Sequence, residues 1–258
     1  MPARFIKNMA MLDAHIHLSD PEYQADMETI LASMKRLGIR ACAVSMDNDS
    51  SRTTLELAAK SNLVLPFVGI HPEKFADNLD SMVHLIEANS DVISGIGEIG
   101  LDKTYTRTDG DFKRQKDVFT KLLGLAESLK KPVSVHSRKT LDEILEIIPS
   151  YCISGFLLHW FDGSKKQLSR AMDLGCFVSY GPVMVYSQDK QVLLSNTPRD
   201  KILVETDGPV RFSHCFGMKS AQISFIPSVI FCLSKILGQS YDDSVSMLEQ
   251  NSTRYLEA

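Results

Sequence analysis

Residues 133–160 read VSVHSRKTLDEILEIIPSYCISGFLLHW. A short apolar run over 133–136 ends on His136. An amphipathic stretch over 141–148 follows, and Pro149 helps to end it. A second apolar run, 153–159, ends on His159. The segment reads as strand, crossover helix and parallel strand, since parallel neighbours need a connection long enough to hold a helix. Both histidines stand at the same end of their strands. In a closed parallel barrel those ends converge on one face, where active sites are built.

The alternation continues in both directions. Apolar runs at 10–17, 39–45, 63–70 and 92–101 come before it, and runs at 176–180 and 202–205 come after. Helical stretches are predicted at 22–37, 51–61, 79–89, 112–130, 164–174 and 190–195. The clearest is 112–130, where Phe112, Phe119, Leu122, Ala126 and Leu129 share one stripe. Gly38 and Gly175 close two others. Helices over 220–237 and 241–256 finish the chain, and Ser240 with Asp243 resembles a capping box at the last. About eight βα units predict an α/β fold: a single-domain (β/α)8 TIM-like barrel over residues 1–258 with an extra C-terminal helix. Continuous apolar strands fit a sheet covered on both faces. An open doubly wound sheet would give the same local pattern, and the polar residues at strand ends decide for the barrel.

Composition narrows the function classes. Hydrophobic residues make up 44% and charged residues 23%, as in ordinary globular domains. The net charge of −4 lacks the basic surplus of proteins that grip long duplex DNA, so any nucleic acid should be held locally. Five cysteines, widely spaced and without a C-x-x-C, read as reduced thiols. Residues 1–9 lack the apolar core of a signal peptide, and no stretch approaches a membrane span. The expectation is a cytoplasmic protein with no membrane contact and no obligate protein partner.

The chemistry lies at the strand ends. Asp13-Ala14-His15-Ile16-His17 closes the first run; strand alternation sets His15 and His17 on one face with Asp13 a step deeper. Two such imidazoles can share a metal ion, although H-x-H alone also describes two core histidines. Glu98, inside Gly97-Glu98-Ile99-Gly100, is costly to bury unpartnered, and its glycines suggest close approach by another group. His136, His159 and the segment Glu205-Thr206-Asp207 end three further runs. Each has a bland reading as a strand-end hydrogen-bonding residue. Together, four of the seven histidines with Glu98 and Asp207 would gather in one pocket.

The order of these residues resembles the amidohydrolase superfamily, and the local wording is similar to TatD-type deoxyribonucleases. Asp13–His17 matches D-x-H-x-H, residues 69–72 match G-x-H-P, residues 97–102 match G-E-I-G-L-D, and residues 136–138 match H-x-R. Residues 159–163 resemble H-x-F-x-G, residues 205–207 match E-T-D, and Asn251 with Arg254 resembles a closing N-x-x-R. Four positions depart from the common wording: Glu73 replaces a second His, Trp160 a Cys, Gly208 an Ala, and Lys103 an aromatic.

The resemblance implies two divalent ions, Mg²⁺, Mn²⁺ or Zn²⁺. His15, His17 and Glu98 would hold one; His136 and His159 would hold the other, with Glu98 shared. Asp207 would touch a metal and move the proton of an attacking water. Two divalent ions outweigh the two carboxylates, which favours an anionic group such as phosphate. Arg138 is a phosphate clamp or a surface Arg at a helix start, His71 a substrate-orienting residue or a structural turn. Asp13 is a residue that orients a histidine ring or a buried hydrogen-bonding Asp. The implied activity is a DNase or exonuclease working on DNA ends or single strands. The alternatives are an ester, lactone or amide hydrolase of the same superfamily, and a metal-binding scaffold without catalysis.

Overall fold

The computed structural model describes residues 11–257, so the reading of residues 1–9 lies outside the described residues. The strands are β1 Met11–Ile16, β2 Ile39–Val44, β3 Val64–Val68, β4 Gly95–Gly100, β5 Val133–His136, β6 Phe156–Leu158, β7 Phe177–Tyr180 and β8 Ile202–Val204. All pair in parallel in the order β1 to β8. The chain beyond β8 returns to β1: Asp207 N–H donates to the His15 carbonyl at 2.9 Å, and His17 N–H to that of Gly208 at 2.8 Å. These bonds bring the sheet nearly to closure at its C-terminal end, as the placement of polar residues predicts.

The helices are α1 Met27–Leu37, α2 Asn48–Lys60, α3 Leu79–Ala88, α4 Asp109–Ser128, α5 Leu141–Ile147, α6 Lys165–Asp173, α7 Gln188–Ser195, α8 Ile226–Leu237 and α9 Tyr241–Leu256. Boundaries move where a cap overrides the apolar stripe. Helix α4 starts ahead of Phe112 because the Thr108 side chain accepts from Asp111 N–H, and α2 starts at Asn48 because Asp47 does the same for Ser50. The 22–37 stretch divides into a 3-10 turn, Pro21–Asp26, and α1. The 220–237 stretch opens with a 3-10 turn, Ile223–Phe225, and becomes α-helical only at Ile226, with Pro227 in its first turn.

The barrel interior is filled by Leu12, Cys42, Leu65, Phe67, Phe177 and Leu203, among others. Tyr255 of α9 joins this cluster, and its hydroxyl donates to the Val133 carbonyl at the start of β5. The last helix therefore plugs the N-terminal end of the barrel and leaves the opposite end for chemistry. Among the described residues no single helix is long and apolar enough to cross a membrane.

Candidate metal centre

The pairing of β1 with β2 shifts between Asp13 and Ile16, and β1 ends there, so simple alternation does not carry through to His17. The two imidazoles still arrive together, with ring centroids 5.1 Å apart at 80°. Opposite them stands Glu98, buried on β4. Its Oε2 lies 3.3 Å from Nε2 of both His15 and His17. Its Oε1 lies 2.9 Å from His136 Nδ1 and 2.8 Å from His159 Nε2. Asp207 Oδ1 completes the first group, at 3.5 and 3.6 Å from Nε2 of His15 and His17. All six residues expected from the sequence thus come together around the Glu98 and Asp207 carboxylates.

The glycines beside Glu98 serve the sheet. A Cβ on Gly97 would lie 3.0 Å from Ser134, and one on Gly100 would lie 2.1 Å from the His136 carbonyl. The close approach inferred from sequence is that of β5. It also delivers two partners. Ser134 Oγ sits 2.8 Å from His15 Nδ1, and the buried His15 Nε2 makes no hydrogen bond among the described residues. The tautomer that donates Nδ1–H to Ser134 leaves an Nε2 lone pair open toward the cluster. His136 is held the opposite way: Nε2 lies 2.9 Å from Asp102 Oδ2, which leaves Nδ1 to face Glu98.

Asp13 does not orient a ring. Its carboxylate accepts from the backbone N–H of His15 and from both the N–H and hydroxyl of Thr206. It ties the end of β1 to the segment carrying Asp207. Glu205, to which the sequence assigned no role, accepts from Trp160 N–H at 2.8 Å and Ser179 Oγ at 2.5 Å, and faces His159 Nδ1 at 3.9 Å.

His71 is buried beside the cluster, its Nε2 3.5 Å from Glu98 Oε1 and 3.4 Å from His136 Nδ1. Its Nδ1 accepts from Glu73 N–H, which places the proton of the neutral ring on Nε2. Burial pushes its pKa down to about 3, so the ring is neutral and points a donor into the site. Ligand-capable atoms group His71 with Glu98 and His136, but that Nε2 proton suits hydrogen bonding better than ligation. Arg138 is exposed, and its guanidinium forms no ion pair among the described residues.

Protons occupy the cluster where charge demands it. Burial opposes a charged His17, yet Asp207 and Glu98 together raise it to about 10. Burial likewise opposes a charged His136, and Asp102 with Glu98 raises it to about 9. Burial and the stacked His159 ring, 3.7 Å away, hold His15 down at about 4. Burial would raise Glu98, but the surrounding imidazoles hold it well below the ordinary carboxylate range. Asp207 sits at φ 50°, a left-handed conformation that an Asp adopts at some cost. The next residue is Gly208; a Cβ there would fall 2.0 Å from the Tyr23 hydroxyl and 2.8 Å from the Ala221 carbonyl, which leaves room for glycine alone.

The donor set fits divalent cations. Four imidazoles gather around the Glu98 and Asp207 carboxylates and offer mixed N/O ligation, with His15 Nε2, His17 Nδ1 and His159 Nδ1 making no hydrogen bond among the described residues. Comparison with known proteins points the same way. The family model described as TatD related DNase matches residues 12–257. The chain is 29% identical over 215 residues to deoxyribonuclease TATDN3 of Homo sapiens, covering 78% of each. It is 23% identical over 252 residues to the uncharacterized metal-dependent hydrolase YabD of Bacillus subtilis, covering 95% of this chain and 98% of that one. The crystal structure of YJJV, a TatD homolog from Escherichia coli K12, superposes with a TM-score of 0.89 at 22% identity, covering 98% of this chain and 100% of that one.

Proposed function

This chain belongs to the TatD-related DNase family of metal-dependent hydrolases, and on that premise we propose that it hydrolyses phosphodiester bonds of DNA at ends or in single strands. The observation that carries the reading is the division of Glu98: one oxygen serves His15 and His17, the other His136 and His159. That division supports two ion sites with one bridging carboxylate. His15 Nε2, His17 Nε2, Glu98 Oε2 and Asp207 Oδ1 would hold the first ion. His136 Nδ1, His159 Nε2 and Glu98 Oε1 would hold the second. Lys190, the buried lysine among the described residues, is taken up by the Phe161 carbonyl and Asp162, so no lysine competes for the bridging role.

Divalent ions held there would act as Lewis acids, acidifying water and offsetting negative charge on a phosphate. Asp207 would accept the proton of the attacking water and return it to the leaving oxygen. Neutral His71 donates Nε2–H into the site and can hold a phosphate oxygen. Arg138 stands free on the surface at the turn leading into α5, available to a second phosphate. The direct test is hydrolysis of single-stranded and duplex DNA, RNA, lactones and amides with each divalent metal, Glu98→Ala serving as blank. Metal-dependent cleavage of DNA supports the reading; turnover of a lactone or amide alone refutes it.

Two expectations follow from the proton and tautomer assignments. His17 and His136, raised to about 10 and about 9, are protonated at pH 7 in the metal-free protein and must lose those protons to ligate. Metal affinity should therefore rise as pH increases from 6 to 9 and fall with acid, with roughly one proton released per ion at pH 7. Calorimetry of Mn²⁺ binding in buffers of different ionisation heat reads that number; no buffer dependence would contradict it. Second, Asp102→Asn should weaken the His136 site by about 10- to 100-fold and leave the His15 site unchanged, because Asp102 fixes which nitrogen faces inward. Stepwise Mn²⁺ titration followed by electron paramagnetic resonance separates the two; equal weakening of both would refute the assignment.

A further inference from the structure

We propose that Trp160 and Phe212 form a stacking platform for a nucleobase of the strand whose phosphate lies in the metal centre, an inference that rests on the deoxyribonuclease reading above. Trp160 directly follows His159, and Phe212 lies on the segment that leaves Asp207. The two rings stack nearly parallel, centroids 5.4 Å apart at 24°. Phe212 is buried, whereas Trp160 is only partly covered. No acceptor meets the Trp160 indole Nε1–H among the described residues.

The position is held at a cost. Trp160 adopts φ 42°, a left-handed conformation unusual for a bulky residue. Glu205 and Ser179 pin its backbone N–H at 2.8 and 3.2 Å. A ring placed only to fill the core would be fully covered; here a strained, twice-anchored backbone leaves a large flat ring partly open, one residue along the chain from His159. Tyr180, Val183 and Met184 line, with the Trp160 ring, a cavity of about 10 Å³ that has no room for a base, so a base would lie on the open part of the ring. Lys190, which lines that cavity, is already paired with the Phe161 carbonyl and Asp162, and Arg211, next to Phe212, is paired with Glu22. Nothing there reads the hydrogen-bonding edge of a base. The platform would accept any base by its face, as sequence-tolerant single-strand binders do.

Trp160 is the sole tryptophan of the chain, so its emission reports on the platform directly. The experiment follows Trp160 fluorescence in metal-loaded Asp207→Asn protein, which keeps the strand intact. The probes are a short thymidine strand and an abasic strand of equal length. The thymidine strand should quench the emission and bind about tenfold more tightly than the abasic one. By anisotropy of labelled strands, Trp160→Phe should keep that preference and Trp160→Ala should lose it. Equal quenching by both strands, or a preference that survives in Trp160→Ala, overturns the platform; wild-type cleavage of DNA in that case leaves the nuclease reading standing. If the wild-type protein cleaves no DNA with any divalent metal, the nuclease reading fails. Saturable quenching by adenosine monophosphate, but not by ribose 5-phosphate, then still upholds an aromatic-ring subsite, and its absence removes it.

Discussion

Glu98→Ala is expected to lose both ions and all metal-dependent hydrolysis while the barrel remains folded. The reason is the shared geometry: each Glu98 oxygen faces a different group of imidazoles, at 2.8 to 3.3 Å. A single truncation therefore strikes both sites, unlike any other substitution in the cluster. Changing a residue that merely orients a ligand costs about 10- to 100-fold in metal affinity, so removal of the bridge should exceed about 100-fold at each site. Folding should survive. His136 keeps its bond to Asp102, His15 its bond to Ser134, and His17 its neighbour Asp207. Metal analysis by mass spectrometry and circular dichroism on one preparation read the two effects. A folded variant that retains two ions, or cleaves DNA near the wild-type rate, would remove the bridge from the mechanism.

Asp207→Asn should separate turnover from metal binding. Asparagine tolerates left-handed backbone as well as aspartate does, so φ 50° and the N–H bond to the His15 carbonyl should persist. The substitution removes the group proposed to take the water's proton and would weaken one corner of the proposed first ion site. The expected loss in kcat is about 10²- to 10⁴-fold, the usual range for a lost general base. The His136 and His159 site, which Asp207 does not touch at hydrogen-bond distance, should keep its ion. Single-turnover kinetics at saturating metal distinguish a slower chemical step from weaker loading. Rates restored by added metal would assign Asp207 to ligation alone.

The barrel was legible because its strands are short apolar runs and because polar residues fall repeatedly at one end of them. The gathering of the candidate residues was legible for the same reason: His136, His159 and Asp207 each stop or closely follow a strand, and closure brings such ends together. What sequence could not supply is the pairing between strands. Asp13 meets Thr206 across 193 positions, and Ser134 meets His15 across 119. Register decides such pairs, and nothing local to either residue announces it. Of the two readings of Asp13, the structure shows the buried hydrogen-bonding residue and not the ring orienter: it anchors backbone, while Ser134 and Asp102 attend to the rings. Two partners left local traces. Ser134 lies two residues before His136, and Asp102 closes the G-E-I-G-L-D stretch that holds Glu98. Gly208 is another case, explained only when folding brings the Tyr23 hydroxyl to the place of its missing Cβ.

Anomalous diffraction from crystals soaked in Mn²⁺ tests the centre most directly. Two peaks should flank Glu98, one within coordination reach of His15, His17 and Asp207, the other of His136 Nδ1 and His159 Nε2. A lone peak, or a Glu98 carboxylate that touches neither ion, would contradict the shared-bridge site.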